Sequence, residues 1–168
     1  MGEFIGSGST FSDGAIEQAA DAIGCEVAAV RAVIDVESRG GYLPDKRPKI
    51  LFERHYFSRL TNRRHDASHP DISHKRFGGY KGGAREYDRL ASAARLDRDA
   101  ALRSASWGAF QIMGDNCKAC GFDNVEDFVA AMVESEDRQL QAFVGFVKAN
   151  RLDDELRRLD WEGFARGY

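Results

Sequence analysis

One glutamate in this chain stands where a carboxyl group could hold its proton near neutral pH. Residues 27–41, VAAVRAVIDVESRGG, space Val27, Val30, Ile34 and Glu37 by three, four and three. Those intervals put all of them on one helix face, three apolar and the last a carboxylate. Ser38, Arg39, Gly40 and Gly41 follow, and paired glycines stop a helix. Glu37 is thus carried to a helix end at the margin of an apolar surface. Partial desolvation there raises a carboxyl pKa, and a general acid needs that property. A helix-end glutamate facing solvent gives the same pattern and, taken alone, is the commoner case.

Other residues could share in such chemistry. Glu53 lies in residues 49–55, KILFERH, a short apolar run after Pro48 that reads as a strand. A charge in such a run needs a partner or a wet cleft. Asp45 lies in the turn-rich loop 42–48, close after Glu37. Gln111 stands between Phe110 and Ile112 in residues 104–114, SASWGAFQIMG. A polar amide in an apolar run is either a satisfied core group or a ligand contact. Gly108 lets a ligand approach the backbone closely, so Gln111 and the glycine run are expected to line a cleft opposite Glu37. The three cysteines, Cys25, Cys117 and Cys120, are too few and too odd in number for a disulfide framework. Cys117 and Cys120 have redox or zinc-ligand spacing, but no second ligand pair follows at suitable spacing. His55, His65, His69 and His74 fall in a polar loop region. Free cysteines and no metal are expected.

The elements that must position these residues are mostly helical. The 168 residues fit one domain with a sizeable core, and 43% hydrophobic with 30% charged residues is a globular composition. A net charge of −3 gives no sign of nucleic-acid or membrane-surface binding. No apolar run approaches the ~20 residues of a membrane span, and no signal peptide opens the chain. Residues 1–10, MGEFIGSGST, read as a linker or expression scar, which leaves 11–168 as the domain. Ser12 or Asp13 could cap a first helix with Ile16, Ala19, Ala20 and Ile23 inward, ended by Gly24. That helix would form a hairpin with the Glu37 helix. Residues 60–83 are polar, basic and rich in Gly, His and Asp, and read as a long binding loop. Phe77, Tyr80 and Tyr87 could stack on a ligand or pin the loop. Residues 85–101 read as one helix, and 125–132, 136–150 and 152–159 as three more, with another starting at Trp161.

The segments AVRAVIDVESRGGYLPDKRPKILFERHYFSRLT, DASHPDIS, LASAARLDRDAALRSASWGAFQIMG and FARGY, taken in that order, resemble the N-acetylmuramidase catalytic domain of bacteriophage endolysins. The resemblance covers essentially 11–168. A looser similarity links the chain to goose-type lysozymes and soluble lytic transglycosylases, through Glu37-Ser38 and the run from Gly108 to Met113. Tyr168 matches the start of their third motif, without its following Asn. The resemblance implies a mostly α, lysozyme-like α+β fold with a small β element flanking the active-site cleft. It implies cleavage of the β-1,4 bond between N-acetylmuramic acid and N-acetylglucosamine in peptidoglycan, with Glu37 as catalytic acid. Ser106, Gln111, Met113 and Tyr168 would bind substrate. Relatives continue past the position of Tyr168 into a closing helix, so the chain is expected to be a truncated piece. Cys117 stands where a bulkier polar or aromatic residue would be expected.

A second carboxylate would be Glu53 first and Asp45 second. Related enzymes with one glutamate use the substrate's own N-acetyl group instead, and both schemes stay open. The rival readings are a lytic transglycosylase giving 1,6-anhydro products, and a wall-binding module using Tyr42, Phe77, Tyr80 and Trp107. Nucleic-acid binding through Arg59, Arg63, Arg64, Lys75 and Arg76 is the weakest, since the cluster is local. The expected partner is the glycan strand, with no nucleic acid, membrane, cofactor or metal, and the expected state is a monomer. It would be made in the host cytoplasm and act on the wall from the periplasm.

Overall fold

Helix α1, Ala15–Ile23, buries Ala19, Ala20 and Ile23 and is closed by Gly24, whose left-handed φ of 78° returns its N–H to the Ala20 carbonyl. Neither Ser12 nor Asp13 caps it. Gly14 takes the cap position with a φ of 79°, and the Ser12 N–H is turned to Asp137 instead. Helix α2, Val27–Glu37, packs on α1 with Ala29, Val30 and Val33 buried, while Val27 and Ile34 lie partly buried beside them. The computed structural model describes residues 2–37 and 40–168, Glu37 by its backbone. The Ser38-Arg39 part of the expected helix stop lies outside the described residues.

The β element is a three-stranded antiparallel sheet of β1 (Ile50–Phe52), β2 (Ala105–Trp107) and β3 (Ile112–Met113), with β2 central. Register decides what each face carries. Ile50 pairs with Trp107 and Trp107 with Ile112, and these side chains join Phe52 and Ala105 in the core. Leu51 pairs with Ser106 and Ser106 with Met113, so these three share the opposite face.

The strand read over 49–55 is shorter than expected. It stops at Phe52, Glu53 takes the N-cap position, and α3 (Arg54–Leu60) begins at once. The single helix read over 85–101 is two, α4 (Glu86–Ala94) and α5 (Arg98–Arg103). Asp97 makes the break: it is extended, with φ −160°, and its carboxylate accepts the Ala100 N–H at 3.0 Å as a new N-cap. Helices α6 (Val125–Glu134), α7 (Glu136–Ala149), α8 (Asp153–Arg157) and α9 (Trp161–Gly167) follow, with Asn124, Ser135 and Asp160 capping α6, α7 and α9. Leu140, Phe143, Phe146 and Val147 of α7 are buried, and α7 packs on both α1 and α6.

Residues 2–10, read as a linker, are laid against the domain. The Phe4 ring is 5.5 Å from Tyr87 and 5.7 Å from Trp107, and the Glu136 N–H donates to the Ser9 carbonyl. At Gly6 a Cβ would collide with the Val133 carbonyl, so glycine is there for close approach and not only for flexibility. Among the described residues no helix is long and apolar enough to cross a membrane.

Candidate active site

A cleft of about 450 Å³ lies between the end of α2, strand β1 and the β2–β3 turn. Val36 and Gly40 border it on the α2 side, Lys49 and Leu51 on the β1 side, and Gly108, Ala109 and Gln111 on the turn. Glu37, the last residue of α2, is the next residue after Val36 and follows Val33 and Val30 at helical spacings of four and seven. The expected burial of its carboxyl falls outside the described residues.

Helix α7 fixes the two walls from behind. Buried Glu136 accepts the Gly41 N–H at 2.6 Å, and buried Gln139 accepts the Ala109 N–H at 2.7 Å while donating to the Met132 carbonyl at 2.8 Å. The close approach of α7 depends on glycine at two positions beside these contacts. A Cβ on Gly108 would lie 2.6 Å from Gln139 Oε1, and one on Gly41 would collide with the same atom. Gly41 and Gly108 thus serve close packing onto α7. Tyr42 donates to the Met132 and Val133 carbonyls, and its phenol is pushed up to about 12 by burial, with nearby Glu136 adding to it. Neither Glu136 nor Gln139 was singled out from the sequence. The signal was there: they precede Leu140 and Phe143 by four residues each, two polar residues on a helix's core face.

The β2–β3 turn is braced internally. Gln111, with φ 48°, accepts from Ser106 Oγ at 2.8 Å and donates to the carbonyls of Gly108 at 2.9 Å and Lys49 at 3.3 Å. Of the two readings of its amide, the structure shows a satisfied group that also forms a cleft wall. Ser106 and Met113 share the Leu51 face of the sheet. Tyr168 stands behind the turn: its hydroxyl donates to the Phe110 carbonyl at 2.6 Å and its ring stacks on Phe164 at 5.1 Å.

Glu53 continues the Leu51 face, since side chains alternate along an extended chain. Both of its oxygens accept from Tyr80 Oη, at 3.0 and 2.8 Å, and Oε2 is 3.2 Å from His55 Nδ1. Burial, reinforced by the Glu53 contact, raises the Tyr80 phenol above its ordinary value. Asp45 goes elsewhere. It is paired with Arg47 at 2.6 Å, which holds its carboxyl below the usual range, and it borders a different depression, with Phe4 and Tyr87.

The long loop 61–83 that carries Tyr80 is held by two arginines. Arg54 donates to the carbonyls of Pro70, Arg76 and Phe77, and Arg89 to those of Phe52, Asp71 and Gly78. Arg89 is itself paired at 2.8 Å with Glu86, which is fully buried and also accepts the N–H groups of Phe52, Lys81 and Gly82. Burial would raise the Glu86 pKa, but these donors outweigh it and the carboxyl sits below its ordinary value. Of the aromatics considered for stacking, Tyr87 and Trp107 are buried and Tyr42 is partly buried, while Phe77 is 75% exposed and Tyr80 41%. Cys117 and Cys120 are buried free thiols, and burial pushes Cys120 up to about 12. Among the described residues no cluster of three or more His, Cys, Asp or Glu could hold a metal ion.

The N-acetylmuramidase family model matches residues 26–168. The chain is similar to the crystal structure of the Burkholderia AP3 phage endolysin, at 45% identity and a TM-score of 0.89. That match covers 95% of this chain and 63% of the endolysin, so the chain spans under two thirds of the length of its relative. No curated protein sequence matches.

Proposed function

Since the chain belongs to the N-acetylmuramidase family, we propose that it is a peptidoglycan hydrolase of the phage endolysin kind. It would cut the β-1,4 bond from N-acetylmuramic acid to N-acetylglucosamine. The observation that carries this reading is the cleft at the end of α2, with Glu37 as the last residue of that helix. In this scheme the glycan strand lies along the cleft between Gly40 and Gln111. Glu37 gives its proton to the departing glycosidic oxygen as positive charge builds on the muramic ring. Ser106, Gln111 and Met113 border the sugars, and Tyr168 supports the turn that carries Gln111. The second role falls either to Glu53, aimed by Tyr80, or to the substrate's own N-acetyl group. A monomer acting on the wall suffices for this chemistry.

Two points favour this over a wall-binding module. Of the four aromatics such a module would use, Trp107 is a core residue and Tyr42 is partly buried with its hydroxyl tied to the Met132 and Val133 carbonyls. The cleft also lies at the end of α2, the helix whose last residue is Glu37, and binding alone needs no acid there. Mass spectrometry of digested peptidoglycan tests the proposal: muropeptides ending in reducing muramic acid are expected. Ends of 1,6-anhydro type would make it a transglycosylase, and absence of soluble fragments would leave the binding module.

A further inference from the structure

The cleft face of the sheet leads into a second cavity. His55, whose Nδ1 is 3.2 Å from Glu53 Oε2, is also part of the wall of a cavity of about 490 Å³ formed with Ser58, Arg59, Asn62, Arg63 and Lys75. Arg59 supplies another tie, since its guanidinium is 3.6 Å from Asp115, two residues past Met113 on the same sheet face. The cavity therefore lies beyond Glu53 and Met113, which share the sheet face that Leu51 presents to the cleft.

Its electrostatics are one-sided. Every ionisable group in the lining is basic. The neighbouring carboxylates are already engaged: Glu53 accepts from Tyr80 at 3.0 and 2.8 Å, Asp115 from Arg103 at 2.7 Å, and Asp66 from Ser58 at 3.0 Å and Ser73 at 2.6 Å. Arg63 acts on Asp66 only through space, and neither Arg63 nor Lys75 forms an ion pair among the described residues. The backbone at the rim is also held in a sparsely populated conformation. Asn62 and Arg63 have φ of 53° and 61°, kept by the Arg63 N–H donating to the Ser58 carbonyl at 2.7 Å. Left-handed backbone at an arginine is uncommon and persists where the surroundings over-determine it.

We infer that this cavity is a subsite for the carboxylates of the peptide stem that branches from muramic acid. The inference rests on the glycan lying in the cleft. The sugars of that strand are neutral once the lactyl carboxyl is joined to the stem, so the negative charge of the substrate sits on stem carboxylates. Those groups lie to the side of the glycan, as the cavity lies to the side of the cleft. Guanidinium and ammonium groups are the donors that recognise carboxylates.

The test compares the full chain with the double variant Arg63→Gln/Lys75→Gln on two substrates. One is glycan strands bearing peptide stems. The other is the same strands after an amidase has removed the stems at the lactyl amide. Loss of two exposed charge contacts is expected to raise KM about tenfold on stem-bearing strands with kcat unchanged, and to leave the stripped strands unaffected. Arg63→Lys, which keeps the charge, is expected to hold KM within about twofold of the parent, so a merely structural role of Arg63 is separable. An equal change on both substrates, or on neither, overturns the inference. So does a double variant that loses binding to lipopolysaccharide micelles but keeps its KM on stem-bearing strands, since the cavity would then read phosphate. If the parent chain cuts neither substrate, the reading of the cleft fails first and the subsite fails with it.

Discussion

At the scale of single residues, the proposed chemistry turns on charge and not on bulk. Glu37→Gln keeps size and hydrogen bonding but has no proton to give. Clearance of outer-membrane-stripped Gram-negative cells is expected to fall by at least ~10²–10⁴-fold, the range for general acid–base catalysis, with melting temperature unchanged. Folded Glu37→Gln protein that clears cells near the parent rate would return the search to Glu53. Tyr80 bears on Glu53 directly, because its hydroxyl holds both carboxylate oxygens. If Glu53 takes the second role, Tyr80→Phe and Glu53→Gln should both lower kcat, the first by less. If the N-acetyl group takes it, kcat for both should stay near the parent value. Gly108 offers a test of the wall. Its φ of 72° and the 2.6 Å approach of a Cβ to Gln139 Oε1 make Gly108→Ala destabilising, by about 1–3 kcal/mol. In a Gln139→Ala background the steric part of that penalty disappears, and a double-mutant cycle on urea midpoints should show the coupling.

At the scale of elements, the buried pair of Glu86 and Arg89 joins α4, β1 and the long loop. Glu86→Gln leaves Arg89 with an uncompensated charge and should cost about 3 kcal/mol of stability at neutral pH. Its pH dependence has a definite sign. The folded pKa lies below the ordinary 4.5, so the charged form stabilises the fold. That contribution is complete above about pH 4.5 and is lost as pH falls through the lower folded value. Denaturation midpoints of parent and Glu86→Gln protein should therefore converge in acid, and a constant gap would contradict this account. Helices α2, α6 and α7 were legible because their apolar residues repeat at helical spacing over ten or more residues. The break between α4 and α5 was not, since residues 85–101 keep that spacing through a turn that one capping aspartate, Asp97, is enough to make. Helix α3 was hidden for a different reason: its first residues, Arg54 and His55, close the run 49–55, which is too short to separate the two states. In the site, Gln111 was legible as a polar break in an apolar run. Glu136 and Gln139 become visible only when the backbone groups they hold, at Gly41 and Ala109, are brought beside them by the fold.

At the scale of the whole molecule, charge is unevenly spread. The chain carries a net −3, yet the cavity beside the cleft is lined by Arg59, Arg63 and Lys75. A local field of this kind is screened over about 8 Å at physiological salt. Lysis of stem-bearing walls is thus expected to weaken between 50 and 500 mM NaCl while digestion of stem-free strands changes little, as turbidity and reducing-end assays would show. The layout of the long loop carries a consequence for sequence drift. Arg54 and Arg89 grip it by the main-chain oxygens of Pro70, Asp71, Arg76, Phe77 and Gly78, and every residue type supplies such an oxygen. Side chains such as Lys75 and Phe77 can therefore be exchanged without loosening the attachment. Lineages meeting differently decorated walls could rewrite the loop's outer surface while its path across the domain stays the same.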